Sequence, residues 1–161
     1  MSTSETRVDG SVLSPLEALL IERECERLIT TYTQRLDLGQ VDQVVDLFTD
    51  DATYEIPGVF CFQGREELTT AIPRRLSKPF RLTRHLCSNV LIKIISPDEA
   101  TGVCYFVNYR KDFPDANIVE PALVEMPHYV GEYHDRFVKT VKGWRFAHRL
   151  IHLTFTDTPT A

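Results

Sequence analysis

The chain has 161 residues, of which 43% are hydrophobic and 25% charged, with a formal net charge of -5. That length suits one domain able to bury its own core, and the negative balance gives no general pull toward nucleic acid or an anionic membrane. No apolar run reaches the length of a membrane-crossing helix, and the opening MSTSETRVDGSVLS has no hydrophobic signal core, so the cytoplasm is the expected compartment.

Residues 1–13 read as a flexible arm, 14–156 as one folded domain and 157–161 as a tail. Ser14-Pro15 is a helix start, a cap residue followed by proline at the first helical position. Leu16, Leu19, Leu20, Cys25, Leu28, Ile29, Tyr32 and Leu36 then recur at helical spacing, and Gly39 stops the helix. A shorter helix is predicted over 41–48, ended by Asp50-Asp51. Residues 52–56 alternate like a strand before the Pro57-Gly58 turn, and 59–62 suit a second short strand. Gly64 opens a third helix reaching about Leu76, with Pro73 expected to kink or shorten it. The pattern then turns to strands over 85–96, 100–113, 127–141 and 144–156. Helices first and strands after imply an α+β fold, with a strongly curved, mostly antiparallel sheet wrapped around the N-terminal helices as a cone-shaped barrel. Such a cone encloses an internal cavity, a natural small-molecule site.

Cys25, Cys61, Cys87 and Cys104 have irregular spacing, which favours buried free thiols over a metal site or a disulfide framework. No nucleotide loop, metal cluster or flavin motif is visible, so no cofactor is expected.

Asp37 and His85 stand out. A carboxylate near a helix C-terminus is unfavourable by the dipole argument, so Asp37 invites a specific role. His85 opens the third-quarter strand and shares a face with Cys87 and Asn89, a small polar lining. A carboxylate from a helix and an imidazole from a strand meet only across a folded interior, where they form a general base and its orienting partner. Tyr32 lies on the apolar helix face, where its hydroxyl needs a partner. Arg149, if it faces inward, needs an anion or a salt bridge to Asp37 or Asp135; Arg145 is the competing choice. Tyr54, Phe60, Tyr105, Phe113 and Tyr129 are candidates to line a cavity for a ring-shaped ligand. His128, His134, His148 and His152 read as surface or interface residues. The basic run Arg74, Arg75, Lys78, Arg81, Arg84 reads as a solvated face that complements a helix end.

Four stretches together resemble the SnoaL-like branch of the nuclear transport factor 2-like superfamily. They are Tyr32-x4-Asp37, Leu47 to Ala52 running into a strand, Gly64 and Arg84-His85 opening elements, and Gly131 to Phe137 followed by Lys142-Gly143-Trp144-Arg145-Phe146. The resemblance spans about residues 14–155 and points to the scytalone dehydratase and bile-acid 7α-dehydratase branch. It implies a catalytic pair at Asp37 and His85, a tyrosine at Tyr32 and a last-strand arginine at Arg149. No histidine here matches the second one of scytalone dehydratase. The implied reaction is a cofactor-independent, dehydratase-type elimination on a small hydrophobic, polycyclic or aromatic-related substrate. A steroid or polyketide isomerase or cyclase is the alternative, as is a non-catalytic module like a ligand-binding protein or a dioxygenase small subunit. A homodimer or homotrimer through the outer face of the sheet is expected, because the long strands need cover that the helices cannot give.

Overall fold

Ser14 starts the first helix as its sequence demands: its hydroxyl accepts the Glu17 backbone N–H at 3.2 Å, and the Glu17 carboxylate accepts the Ser14 backbone N–H at 2.8 Å. In the computed structural model, which describes residues 6–8, 11–124 and 126–157, this helix (α1) spans Pro15–Asp37. It buries Ile21, Cys25, Leu28, Ile29, Tyr32 and Thr33, whereas Leu16, Leu19 and Leu20 of its first turns are exposed. Gly39, at φ 73°, supplies the left-handed residue that follows the helix end. Within the N-terminal stretch read as a flexible arm, Thr6–Val8 (β1) and Ser11–Leu13 (β2) pair as an antiparallel ladder. Of the expected C-terminal tail, residues 158–161 lie outside the described residues.

The second helical segment is a 3-10 helix over Val41–Leu47. It leads into β3, Phe48–Ile56, longer than the predicted strand because Phe48 already pairs with Phe146. Then come β4 (Phe60–Gln63) and α2 (Gly64–Leu76), which runs through Pro73 to Leu76. Four long strands follow: β5 (Arg81–Ser96), β6 (Glu99–Asp112), β7 (Tyr129–Thr140) and β8 (Gly143–Thr156). His85 therefore sits five residues into its strand rather than at its start, because Arg81 already pairs with Asp112.

The six strands order as β4-β3-β8-β7-β6-β5, antiparallel except for the β3–β8 pair. The sheet is curled but not closed: its end strands β4 and β5 do not pair with each other. The expected barrel is thus an open cone, with α1 packed across β5 and α2 against β3. Alternation sends Ala100, Gly102, Cys104, Phe106 and Asn108 of β6 inward and Val103, Tyr105, Val107 and Tyr109 outward. The outer face of β5 and β6 shows Leu86, Leu91, Tyr105 and Tyr109 to solvent, the surface on which the expected self-association rests.

Gly131 marks a close approach of backbones. A Cβ there would lie 2.1 Å from the His152 carbonyl oxygen, beside the register shift between Val130 and Gly131. Gly131→Ala is expected to destabilise the protein by about 3 kcal/mol, the upper end of ordinary overpacking, because the clash is with backbone. A thermal melt unchanged from wild type contradicts this.

No helix among the described residues is long and apolar enough to cross a membrane.

Candidate active site

Asp37 is the last residue of α1, and the packing of α1 on β5 brings it to His85. Asp37 Oδ1 lies 2.6 Å from His85 Nδ1, and Asp37 Oδ2 accepts the His85 backbone N–H at 2.8 Å. One carboxylate thus grips both the imidazole and its own backbone. This bidentate hold fixes the ring and places the proton of the neutral imidazole on Nδ1, which leaves the Nε2 lone pair free. Both side chains are largely buried. Arg84 turns outward and donates to the Asp37 carbonyl at 3.4 Å, offsetting the negative helix end.

The pair forms part of the wall of a cavity of about 830 Å³, within the range of small-molecule sites. Tyr32, Tyr54, Phe60 and Tyr129 line it too, as the sequence suggested. Tyr32 and Tyr54 join through their hydroxyls at 2.8 Å. Burial pushes both phenols above their ordinary value, so they stay protonated donors. The same holds for Tyr133, which stacks on Phe106 with ring centroids 4.3 Å apart.

Five residues expected at the site lie elsewhere. Arg149 is fully buried behind the cavity wall. Its Nε and one terminal nitrogen each donate to Asp135 at 2.7 Å. Its guanidinium carbon sits 4.1 Å from the Tyr32 ring, 4.3 Å from Tyr133 and 4.0 Å from Phe146. The register shift between Arg136 and Phe137 bulges Ala147 out of the ladder and so turns both Phe146 and Arg149 inward. Arg145 stays half-buried, donating to the Trp144 carbonyl. Asn89 leaves the inner face because a bulge between Ser88 and Leu91 puts it at φ 53° and exposes it. Cys87, a free thiol on the inner-face parity of β5, does not line the cavity. Tyr105 occupies an outward position of β6 and is 48% exposed. Phe113 lies past the end of β6, where its N–H donates to the Phe80 carbonyl.

Two further expectations change. His128 is buried, with Nδ1 2.7 Å from Asp157, whereas His134, His148 and His152 lie on the outer face. Cys61 is exposed, while burial pushes the Cys25 thiol up to about 12.

Sequence reasoning missed Asn108, Tyr133, Thr83 and Arg110, all on the cavity wall. Asn108 pairs with His85 across the ladder and donates to Thr83 Oγ1 at 2.7 Å. Part of the signal was available: Thr83 shares strand parity with His85, and Tyr133 shares it with Phe137 in a run whose other face is Glu132, His134 and Arg136. The basic run is exposed at the end of α2, with Arg74 and Arg75 in its last turn as expected, and beyond that expectation Arg74, Arg75, Lys78 and Arg81 also border the cavity while Arg84 turns away.

The arrangement can remove a proton from carbon at Nε2 and offer a phenol hydroxyl of the Tyr32–Tyr54 pair as a donor in the same cavity.

Comparison with curated proteins gives no match. Among solved structures, the fold resembles a candidate scytalone dehydratase from Novosphingobium aromaticivorans, with 23% identity, 90% of this chain and 92% of that chain covered, and a TM-score of 0.75. It also resembles a type 2 LinA, a hexachlorocyclohexane dehydrochlorinase, at 20% identity over 92% of this chain and 94% of that one, with a TM-score of 0.72. The beta subunit of a candidate aromatic-ring-hydroxylating dioxygenase from Novosphingobium aromaticivorans is similar at 19% identity over 89% and 95%, with a TM-score of 0.72. The sequence profile of the SnoaL-like domain matches residues 17–150. With the open α+β cone and that match spanning most of its length, the chain belongs to the SnoaL-like domain family of the nuclear transport factor 2-like superfamily.

Proposed function

We propose that the protein is a cofactor-independent lyase whose general base is His85, oriented by Asp37. The observation that carries this reading is the double hold of Asp37 on His85 at the cavity wall, which leaves Nε2 as the one ring nitrogen open to a ligand. The substrate fits as a small ring compound with an acidic C–H beside a carbonyl and a hydroxyl one carbon further on. Nε2 takes the proton, and the C–H electrons become the new C=C bond. The C–O bond breaks, and the leaving hydroxyl departs as water by taking the proton back from the imidazolium. In the bonded Tyr32–Tyr54 pair one hydroxyl proton is shared between the two oxygens, and the other hydroxyl donates to the oxygen on which negative charge builds. Neighbours with dehydratase and dehydrochlorinase names support elimination, although at this identity they carry the fold rather than the chemistry. An isomerase shares the first step and differs in where the proton returns. The dioxygenase-subunit likeness favours a non-catalytic module, against which stands a carboxylate–imidazole pair built into a cavity wall.

The test uses 3-hydroxy-1-tetralone, whose elimination gives 1-naphthol, and 2-tetralone, whose enolisation is read as deuterium uptake from D2O. The reading expects rates above those of a His85→Ala, Asp37→Asn protein with at least one compound. Rates equal to that protein's for both would contradict it. Elimination without exchange favours the lyase; exchange alone favours the isomerase.

Tyr32→Phe is expected to slow turnover about tenfold, less than loss of the base, because one hydrogen bond of the donor pair goes while the ring stays. The phenol proton is held well above the ordinary value of 10.0, so its loss gives wild type no alkaline fall in rate up to that pH. A pH–rate profile in which Tyr32→Phe abolishes an alkaline limb below that point contradicts this assignment.

A further inference from the structure

The geometry points to a substrate that carries an anionic group, a carboxylate or a phosphate ester, bound at the cavity mouth by Arg110 with Arg74 and Arg75. The chain has a net charge of -5, yet its cavity is lined by Arg74, Arg75, Lys78, Arg81 and Arg110 against only Asp37 and Glu67. These cations converge from separate elements: the end of α2, the segment after it, the start of β5 and the end of β6. Both carboxylates are engaged, Asp37 with His85 and Glu67 with the Gln63 backbone N–H at 2.8 Å.

The cations are not neutralised in proportion. Arg81 takes Asp112 in a two-bonded pair at 2.5 and 2.8 Å. Arg110 is left with a 3.5 Å contact to the same carboxylate. Among the described residues no carboxylate pairs with Arg74, Arg75 or Lys78. Arg75 instead lies over the Phe60 ring at 4.4 Å, which holds its charge at the cavity edge. Burial and then the charge of Arg81 push Arg110 below the ordinary arginine value, as expected of a cation short of anions. A guanidinium in this state gains from a planar carboxylate or a phosphate, which it can grip with two N–H donors.

Register sets the distance. Thr83 and Arg110 form the cross-strand pair next outward from His85 and Asn108 on the inner face. The anion-binding Arg110 is therefore one inward-facing step, roughly 7 Å along the strand, beyond the base. A ring spans that gap, with its reacting carbon at His85 and its anionic substituent toward the mouth. The proposal rests on the reading of His85 as base only for where the reacting carbon lies.

The test is calorimetric titration with 2-naphthoate, 2-naphthyl phosphate and 2-naphthylmethanol, which share one ring system. At least one anion is expected to bind about tenfold or more tighter than the neutral alcohol. A protein carrying Arg110→Gln, Arg74→Ala and Arg75→Ala should lose that advantage while still binding the alcohol and keeping its melting temperature. Preference for naphthoate alone assigns a carboxylate; preference for the phosphate assigns a phosphate ester. Equal binding of all three, no binding of either anion at millimolar concentration, or an advantage that survives in the arginine variant overturns the proposal. Should the variant not fold, Arg110→Gln alone serves, with a partial loss expected and no loss overturning it. An anion preference in a protein whose turnover ignores His85 would sink the base reading alone. Turnover that needs His85 without any anion preference would sink this proposal alone.

Discussion

His85→Ala and Asp37→Asn each cut turnover by at least about a hundredfold while the protein stays folded, because a positioned base contributes roughly 10²–10⁴-fold. Asp37→Asn keeps the shape of the side chain. It also offers an N–H₂ where Oδ1 or Oδ2 now accepts, so either the ring or the backbone N–H of His85 loses its acceptor. The imidazole is then free to rotate or change tautomer. The losses do not multiply: the double variant is no slower than His85→Ala, since an orienting group has nothing left to orient. Losses that multiply to the product of the two single effects would mean that Asp37 acts separately.

The second large effect lies outside the cavity. Arg149→Met leaves Asp135 buried with no cation, an arrangement that costs about 3–5 kcal/mol. For a domain of this size that is a fall of about 10 °C in melting temperature. Burial already pushes the Asp135 carboxyl upward, against the pull of Arg149, so the lone acid is expected to take up a proton rather than stay charged. Replacing both partners, Arg149→Met with Asp135→Leu, should recover most of the loss, because apolar groups of like volume often replace a buried ion pair at little cost. The third guanidinium nitrogen is buried without a hydrogen-bond partner and meets the three aromatic rings instead. Arg149 thus braces Tyr32 and Tyr133 from behind. A single Arg149→Met variant that melts with wild type would contradict that account.

The parts of the site that could be read from the sequence are those carried by local signals. Ser14-Pro15 and Gly39 mark the ends of α1, and the 3.6-residue spacing from Ile21 to Tyr32 gives its buried face; together these fix where Asp37 falls. The parity of β5 from Arg81 to Cys87 aims His85 inward. What could not be read depends on events between strands. The bulge at Asn89 reverses the alternation that would have placed it beside Cys87. The bulge at Ala147 sets which arginine of β8 turns inward, and a counter-charge on the neighbouring strand, Asp135, claims it. Tyr105 lies in the apolar run Val103 to Val107, whose two faces look alike in the sequence, and only the pairing of β6 with its neighbours puts Tyr105 outside and Phe106 inside. The basic run was legible as a solvated helix end, and only the curl of the sheet beside that end makes it part of the cavity rim as well.

The central claim is that Asp37 holds the imidazole of His85 with its proton on Nδ1 and a bare Nε2 toward the cavity. Long-range proton–nitrogen NMR of the ¹⁵N-labelled protein reads this directly and needs no substrate. The account predicts that neutral His85 gives the Nδ1–H tautomer pattern in wild type and loses that single pattern in Asp37→Asn. A neutral ring protonated on Nε2, or a pattern unmoved by Asp37→Asn, would contradict it.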